Sequence, residues 1–196
     1  MGGFCQVAYQ IERNNLKTFS GPIDWMLSPY LSDVNRLLKM RFLDFMNLNN
    51  LTVQGKANID TYIVKDNLYN IESYHDFSTE YTDDPLFPYP VFKNKLDRRI
   101  NAFYNKCSNS DSILFIRMGG SYHEVIELKS ILKKIVKNKF RILVVNLSSN
   151  LEMSEHNWGL NNVCSVEILD TLTIPTRWQG CDALWDQIFK GISLQS

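Results

Sequence analysis

The sequence predicts an α/β fold, and the order of elements in its C-terminal half indicates that class. The stretches SILFIRMGG, YHEVIELKSILKKIVKNK and FRILVVNL read as a strand with a glycine turn, a helix and a second strand. Such a βαβ unit implies two parallel strands and a right-handed crossover. We therefore expect a three-layer, mostly parallel Rossmann-like sheet flanked by helices, with a small β-hairpin and a long loop inserted in the middle. The length of 196 residues fits a single domain over residues 1–196.

The N-terminal region predicts two helices separated by a turn. The spacing i, i+3, i+4, i+7 indicates a first helix whose apolar stripe consists of Phe4, Val7, Ala8 and Ile11. The segment TFSGPIDWML follows as a turn. SPYLSDVNRLLKM reads as the second helix, with Ser28 as N-cap and Pro29 at the first helical position. RFLDFMNLNNL is expected to form a short helix or turn behind it.

The remaining elements are predicted from alternation, turn residues and helical spacing. TYIVKDNLYNIESYHDF reads as a hairpin with KDN as its turn, and STEYTDDPLFPYP as a long loop. VFKNKLDRRINAFYNKC restores helical spacing. After the βαβ unit, CSVEIL is expected to be a third strand and GCDALWDQIFKGI a closing helix.

Composition excludes several classes of protein. Lys plus Arg and Asp plus Glu are 21 each, which gives no basic footprint for nucleic acid. No stretch is apolar for long enough to span a bilayer, and no signal peptide is visible, so we expect a cytoplasmic protein without a membrane partner. The cysteines form no CxxC pair, which argues against a metal site; they are Cys5, Cys107, Cys164 and Cys181. We expect no cofactor and a small-molecule, acyl or peptidyl substrate.

Cys5 is the first candidate for chemistry. It follows two glycines at the predicted start of a helix. The unpaired N–H groups and the dipole of a helix start lower the pKa of a thiol, and the same N–H groups can hold an oxyanion. A small buried hydrophobic cysteine is the competing interpretation, and the sequence leaves the two about equal.

A nucleophilic cysteine needs a base, and His75 is the candidate because the predicted end of a strand gives it a rigid mount. Asp24 and Asp76 are the two acids that could orient its imidazole. Adjacent strand residues point to opposite faces, so Asp76 could reach the ring only if the strand has already ended, which favours Asp24. His123 and His156 are weaker candidates.

The segment RMGGSYHE suggests a second site. A strand followed by glycines and a helix start can hold an anion, and ligands of open α/β sheets collect beyond the carboxyl ends of strands. The residues expected there, to bind an anionic or sugar group, are Arg117, Gly119, Gly120 and Asn146. The alternative is that the glycines only turn the chain.

Taken in order, these motifs resemble a bacterial family described as papain-like cysteine peptidases, a domain of unknown function. The quoted stretches are CQVAYQIERNNLKTFSGPIDWMLSP, YHDF, LDRRINAF and ILFIR, within residues 1 to about 147. The family pattern matches Gly2 and Cys5, then Pro22, Asp24 and Trp25, then His75 and Asp76, then Arg117. The resemblance implies thiol chemistry by Cys5 and His75 with an acid, and a ligand site that includes Trp25.

Three functions stay open from the sequence. The first is a cysteine-dependent hydrolase or acyltransferase with a Cys–His–Asp constellation. The second is a sugar- or nucleotide-binding α/β transferase in which Cys5 is structural. The third is a binding module that uses the aromatic loop from Asp84 to Phe92.

Overall fold

The fold was analysed on a computed structural model, which describes residues 1–171 and 178–194. These residues form five α-helices and eight strands in two separate sheets. The α/β class expected from the sequence is therefore confirmed. A single, mostly parallel Rossmann-like sheet is not confirmed, because one sheet is antiparallel and the other is mixed.

The antiparallel sheet belongs to the first half of the chain. Its strands are β1 (Met26–Leu27), β2 (Leu51–Lys56), β3 (Tyr62–Asp66) and β4 (Ile71–Ser73), in the order β1-β4-β3-β2. β3 alternates buried and half-buried residues, so one of its faces packs on the core. The predicted hairpin is β3–β4, although its turn lies at residues 67–70 rather than at KDN. β2 was not predicted.

The mixed sheet belongs to the second half. β5 (Ser112–Met118), β6 (Lys139–Ser148) and β8 (Val163–Leu169) are parallel neighbours, and β7 (Ser154–His156) is antiparallel to β8 at the edge. The βαβ unit and the third strand were predicted, whereas β7 was not. The strand order β5-β6-β8-β7 places the end of β5 at an edge of this sheet.

Helices cover both faces of the mixed sheet. On one face, α1 (Cys5–Arg13) and α5 (Asp182–Phe189) contribute Val7, Trp185 and Phe189 to a buried cluster with Met118 and Val145. The other face packs in a larger core with residues of α2 (Leu31–Lys39), α3 (Tyr89–Asn109) and α4 (Tyr122–Ile135). This packing fixes α1 beside β5.

The start of α2 differs from the prediction. The N-cap residue is Tyr30, and Ser28 and Pro29 precede the helix. Ser28 is buried instead, because its side chain and its carbonyl both accept hydrogen bonds from Arg117. None of the helices formed by the described residues is both long and apolar enough to span a membrane.

Candidate active site

Cys5 is the first residue of α1, and the backbone before it binds the end of β5. The Gly2 carbonyl accepts a hydrogen bond from the Met118 N–H at 2.8 Å. Gly3 has a φ of 110°, and a Cβ there would lie 2.3 Å from the Met118 carbonyl oxygen. Only glycine permits this close approach and this backbone conformation. The cysteine is therefore held at the carboxyl end of a parallel strand, where ligands of open α/β sheets bind.

The backbone amide groups in the first turn of α1 carry no side-chain cap. Phe4 is the N-cap residue, and no side chain caps the helix. The first N–H groups of a helix have no intrahelical acceptor, so a site at this end can bind negative charge. Phe4 O accepts from the Val7 N–H at 3.3 Å, and the Cys5 thiol is hydrogen-bonded to its own backbone N–H.

His75 lies two residues beyond the end of β4, opposite Cys5. Its Nε2 is 3.5 Å from Cys5 Sγ, although 70 positions separate the two residues in the chain. His75 is exposed and Cys5 is half-buried. The structure thus brings together a nucleophile and a base, at a distance at which the thiol can donate a hydrogen bond to the imidazole.

Trp25 forms one wall beside the imidazole. Its ring meets the His75 ring edge-on, with the centroids 6.0 Å apart and the planes at 86°. The ammonium group of Lys17 lies 5.6 Å from the centroid of the same tryptophan. Trp25 therefore limits the rotation of His75.

The two acids proposed to orient His75 bind other groups. Asp24 Oδ2 accepts from the Gly21 N–H at 2.6 Å, and Asp24 Oδ1 lies 3.4 Å from the Met1 amino group. Asp76 accepts from Ser73 Oγ at 2.6 Å and pairs with Lys95. Among the described residues, neither carboxylate is hydrogen-bonded to the imidazole.

Each acid instead closes a short turn that positions a neighbouring side chain. Asp24 binds a residue three positions earlier and so fixes the turn that presents Trp25. Asp76 also binds a residue three positions earlier, so the bond between Asp76 and Ser73 spans His75. The strand has ended before His75, as the sequence argument for Asp76 required, but the carboxylate closes the turn rather than binding the ring.

The electrostatics of Cys5 differ from the expectation based on its helix position. Burial raises the pKa of the Cys5 thiol to about 11; its hydrogen bond with its own backbone N–H acts in the opposite direction, and the negative charge of Asp76 raises it further. Loss of solvation therefore outweighs the helix start. At neutral pH the resting group is a thiol, and it needs a base to become a nucleophile.

Tyr74 belongs to the same site and was missed from the sequence. Burial, then its hydrogen bond to Glu72 Oε2 at 3.0 Å, raises the pKa of its phenol to about 12, and the charge of Cys5 is close enough to contribute. Its position immediately before His75 was the only signal that the sequence offered.

Arg117 lies in a different environment from the one expected of a ligand-binding residue. It is fully buried, and its guanidinium donates to Gly119 O at 3.1 Å, Ser28 Oγ at 2.9 Å and Ser28 O at 2.5 Å. A fourth hydrogen bond reaches Met1 O at 3.4 Å. Burial lowers the pKa of Arg117 to about 10. The side chain ties the N-terminal segment and the segment before α2 to β5.

The other residues of the expected anion site are also bonded within the protein. Asn146 accepts from the Gly120 N–H at 3.1 Å and donates to Gly120 O at 3.2 Å. The start of α4 is closed by a capping box between Ser121 and Glu124. Gly119 has a φ of 78° and turns the chain. This geometry supports the alternative in which the glycines serve the turn.

The remaining candidates lie outside this cluster. His156 Nε2 lies 3.3 Å from Ser154 Oγ and 3.3 Å from Glu167 Oε2 on the β7–β8 edge, and His123 packs against Tyr122. In the region expected to be an aromatic binding loop, Phe87 is 62% exposed and stacks on Tyr81. Within residues 1–171 and 178–194, no group of three or more histidine, cysteine or acidic residues is arranged to hold a metal ion.

Comparison with known proteins extends the resemblance. The profile of the family described as "Putative papain-like cysteine peptidase (DUF1796)" matches residues 1–150. "Uncharacterized protein R408" of Acanthamoeba polyphaga mimivirus is 26% identical over 165 residues, which cover 76% of this chain and 71% of that protein. No solved structure matches significantly. The matched residues include Cys5, Asp24, His75 and Arg117.

Proposed function

The chain belongs to the family described as "Putative papain-like cysteine peptidase (DUF1796)", and on that premise we propose that it is a cysteine-dependent hydrolase of acyl or peptidyl substrates. The observation that supports this proposal most strongly is the 3.5 Å separation between Cys5 Sγ and His75 Nε2. We assign the nucleophile to Cys5 and the general base to His75, because the pair satisfies the geometric requirement for proton transfer.

In the first half-reaction, Cys5 Sγ attacks the carbonyl carbon of the substrate while His75 Nε2 takes the thiol proton. The S–C bond forms, and the π electrons of the carbonyl move to its oxygen. We assign stabilisation of this oxyanion to the amide groups at the start of α1, which no side chain caps. When the carbonyl reforms, the bond to the amine or alcohol breaks, and His75 returns the proton to the leaving group.

In the second half-reaction, water hydrolyses the thioester. His75 removes a proton from water as its oxygen attacks the acyl carbon. Collapse of the tetrahedral intermediate breaks the S–C bond, and the proton on His75 returns to the sulfur. The enzyme is restored and a carboxylic acid is released.

The raised pKa of Cys5 favours proton transfer that is coupled to attack. A free thiolate is disfavoured because the sulfur is desolvated and Asp76 is negative. The same negative charge attracts the positive charge that transfer places on the imidazole. We therefore propose that Cys5 rests as a thiol and loses its proton only as it attacks the substrate.

An acyltransferase would use the same acyl-enzyme and differ only in the acceptor that replaces water. The hypothesis of a sugar- or nucleotide-binding transferase is less favoured, because the side chains expected to bind that ligand are already hydrogen-bonded within the protein. The Arg117 guanidinium is fully buried, and the Asn146 amide is hydrogen-bonded to Gly120.

Trapping of the acyl-enzyme tests the proposal. We expect p-nitrophenyl acetate to add one acetyl group to the peptide that contains Cys5, with a burst of nitrophenolate, as measured by mass spectrometry and absorbance. Cys5→Ala should abolish both signals. Cys181→Ala is the matched control, because Cys181 also lies at a helix start, as the N-cap residue of α5. Acetylation that persists in Cys5→Ala would refute the proposal.

A further inference from the structure

A pocket of about 130 Å³ lies between α1, the segment of residues 16–25 and β5. One wall is formed by α1 and the opposite wall by the middle of β5 and the core beneath it. Its apolar lining includes Ala8, Ile11, Leu16, Phe19, Trp25 and Phe115. The exposed Thr18 and the half-buried Lys17 also line it, on its solvent side.

Two wall residues connect the pocket with the candidate catalytic pair. Trp25 lines the pocket and meets the His75 ring edge-on. Ala8 follows Cys5 by three residues on α1, so both side chains lie on the same side of the helix. Three residues advance the helix by about 4.5 Å along its axis, so Ala8 lies less than one turn from the residue that carries the thiol. A substrate group in the pocket would therefore lie next to the bond that Cys5 attacks.

The charges in the lining are already compensated. Lys17 Nζ pairs with Glu12 Oε2 at 3.1 Å. Asp24 accepts hydrogen bonds from the Gly21 N–H and the Met1 amino group. Neither charge requires a charged ligand, and the remaining contacts are mostly apolar. The chemistry of the walls fits a hydrocarbon group.

The volume limits the size of that group. A cavity of about 150 Å³ lined by aliphatic and aromatic side chains accepts benzene. A pocket of about 130 Å³ is slightly smaller and matches a branched aliphatic group, such as the side chain of leucine. A long acyl chain would exceed this volume and extend from the pocket into solvent.

We propose that this pocket selects substrates that carry an apolar side chain or acyl group of about four to six carbon atoms next to the carbonyl that Cys5 attacks. This inference rests on the proposed function, because it needs Cys5 to be the nucleophile. It adds a specificity-determining element, of which Ala8 and Ile11 set the depth and Trp25 forms the side nearest to the imidazole.

Alkylating agents of different size test the proposal without an identified substrate. Iodoacetamide and N-isobutyl iodoacetamide alkylate the sulfur through the same CH2 group. In both reactions the S–C bond forms, iodide leaves as the C–I bond breaks, and the base takes the thiol proton. We expect N-isobutyl iodoacetamide to label Cys5 about tenfold faster than iodoacetamide, a difference equivalent to about 1.4 kcal/mol. Rates are measured on the Cys5 peptide by mass spectrometry.

Two variants, one that fills the pocket and one that enlarges it, show whether the difference in alkylation rate depends on the pocket volume. Ala8→Leu should bring the ratio of the two rates to about one, because the larger side chain fills the pocket. Ile11→Ala should enlarge the pocket and shift the preference to N-cyclohexyl iodoacetamide, and it remains informative if Ala8→Leu does not fold. Ile59→Ala is the control, because Ile59 is 84% exposed and lies outside the pocket. A wild-type ratio near one, or a ratio that both pocket variants leave unchanged, overturns the proposal.

This experiment tests the base His75 and the apolar pocket separately. If His75→Gln does not slow the reaction of Cys5 with iodoacetamide, the proposed base is wrong and the pocket proposal loses its premise. If His75→Gln slows that reaction but size has no influence on the rates, the Cys5–His75 pair stands and the pocket proposal alone is refuted.

Discussion

Two polar clusters lie at the carboxyl end of β5, and they differ in whether their hydrogen bonds are closed within the protein. In the Cys5–His75 cluster the imidazole is exposed, and among the described residues its one hydrogen bond is to the thiol. In the Arg117–Asn146 cluster the guanidinium is buried and bonded to carbonyl and hydroxyl oxygens, and the amide is bonded to Gly120. The sequence predicted a functional site from the residues of each cluster.

Whether the hydrogen bonds are satisfied within the protein distinguishes side chains that stabilise the fold from side chains that can take part in a reaction. A buried polar side chain with satisfied hydrogen bonds stabilises the protein and has no capacity left for a ligand. An accessible base beside a thiol keeps that capacity. Substitutions in the first cluster should therefore change reactivity, and substitutions in the second should change stability.

The largest effect is expected from His75→Gln, which keeps the approximate volume but cannot take the thiol proton. We expect the acylation rate at pH 7.5 to fall by about 10²- to 10⁴-fold, the range of general-base catalysis. Because the pKa of Cys5 is raised to about 11, the remaining rate should rise with pH up to that value as thiolate forms. A variant rate that levels off near pH 8 would contradict the raised pKa.

Arg117→Met should test the second cluster through stability. The substitution removes a buried charge but leaves the Ser28, Gly119 and Met1 oxygens without their donor. We expect the free energy of unfolding to fall by about 2–4 kcal/mol, because the cost of the orphaned acceptors, about 1–3 kcal/mol each, is partly offset by removal of the buried charge. Urea denaturation measures this change. A variant as stable as wild type would show that these hydrogen bonds do not support the fold.

Asn146→Ala should have a smaller effect of the same kind. It removes the two hydrogen bonds to Gly120, so we expect a loss of about 1–2 kcal/mol in the free energy of unfolding. The alkylation rate of Cys5 in the folded protein should stay within about twofold of wild type. A large loss of reactivity with unchanged stability would assign Asn146 to the site instead.

The smallest effect is expected at Asp24, which is assigned to the turn before Trp25. Asp24→Ala removes the acceptor of the Gly21 N–H and should cost about 1 kcal/mol of stability. The rate of Cys5 acylation should fall several-fold because Trp25 no longer holds the imidazole. Asp24→Asn keeps one oxygen and should restore most of both. If Asn is as impaired as Ala, the charge acts directly on the reaction.

Much of the fold could be predicted because periodicity reports local burial. The spacing of Phe4, Val7, Ala8 and Ile11 predicted α1, and the buried runs around Phe115 and Val144 predicted β5 and β6. β2 escaped prediction because its alternation of apolar and polar residues covers only Leu51 to Gln54, and none of its six residues is buried. β7 has only three residues and is polar.

The candidate site could be predicted only in part, since its contacts depend on tertiary structure. The start of a helix indicated Cys5, and the end of a strand indicated His75. The turns that Asp24 and Asp76 close could not be predicted, because residue type does not determine what a carboxylate binds. The pKa of Cys5 was expected to fall with the helix start, but it depends on burial, which only the folded chain determines.

The relative alkylation rates of the four cysteines test the central claim most directly. Burial alone would make Cys5 slow, so a fast Cys5 requires the base at 3.5 Å. We predict that iodoacetamide at pH 7.5 labels Cys5 faster than the exposed Cys164 in the folded protein, and that His75→Gln reverses this order. A Cys5 that reacts more slowly than Cys164 in wild type, or at the same rate in both proteins, would contradict the account.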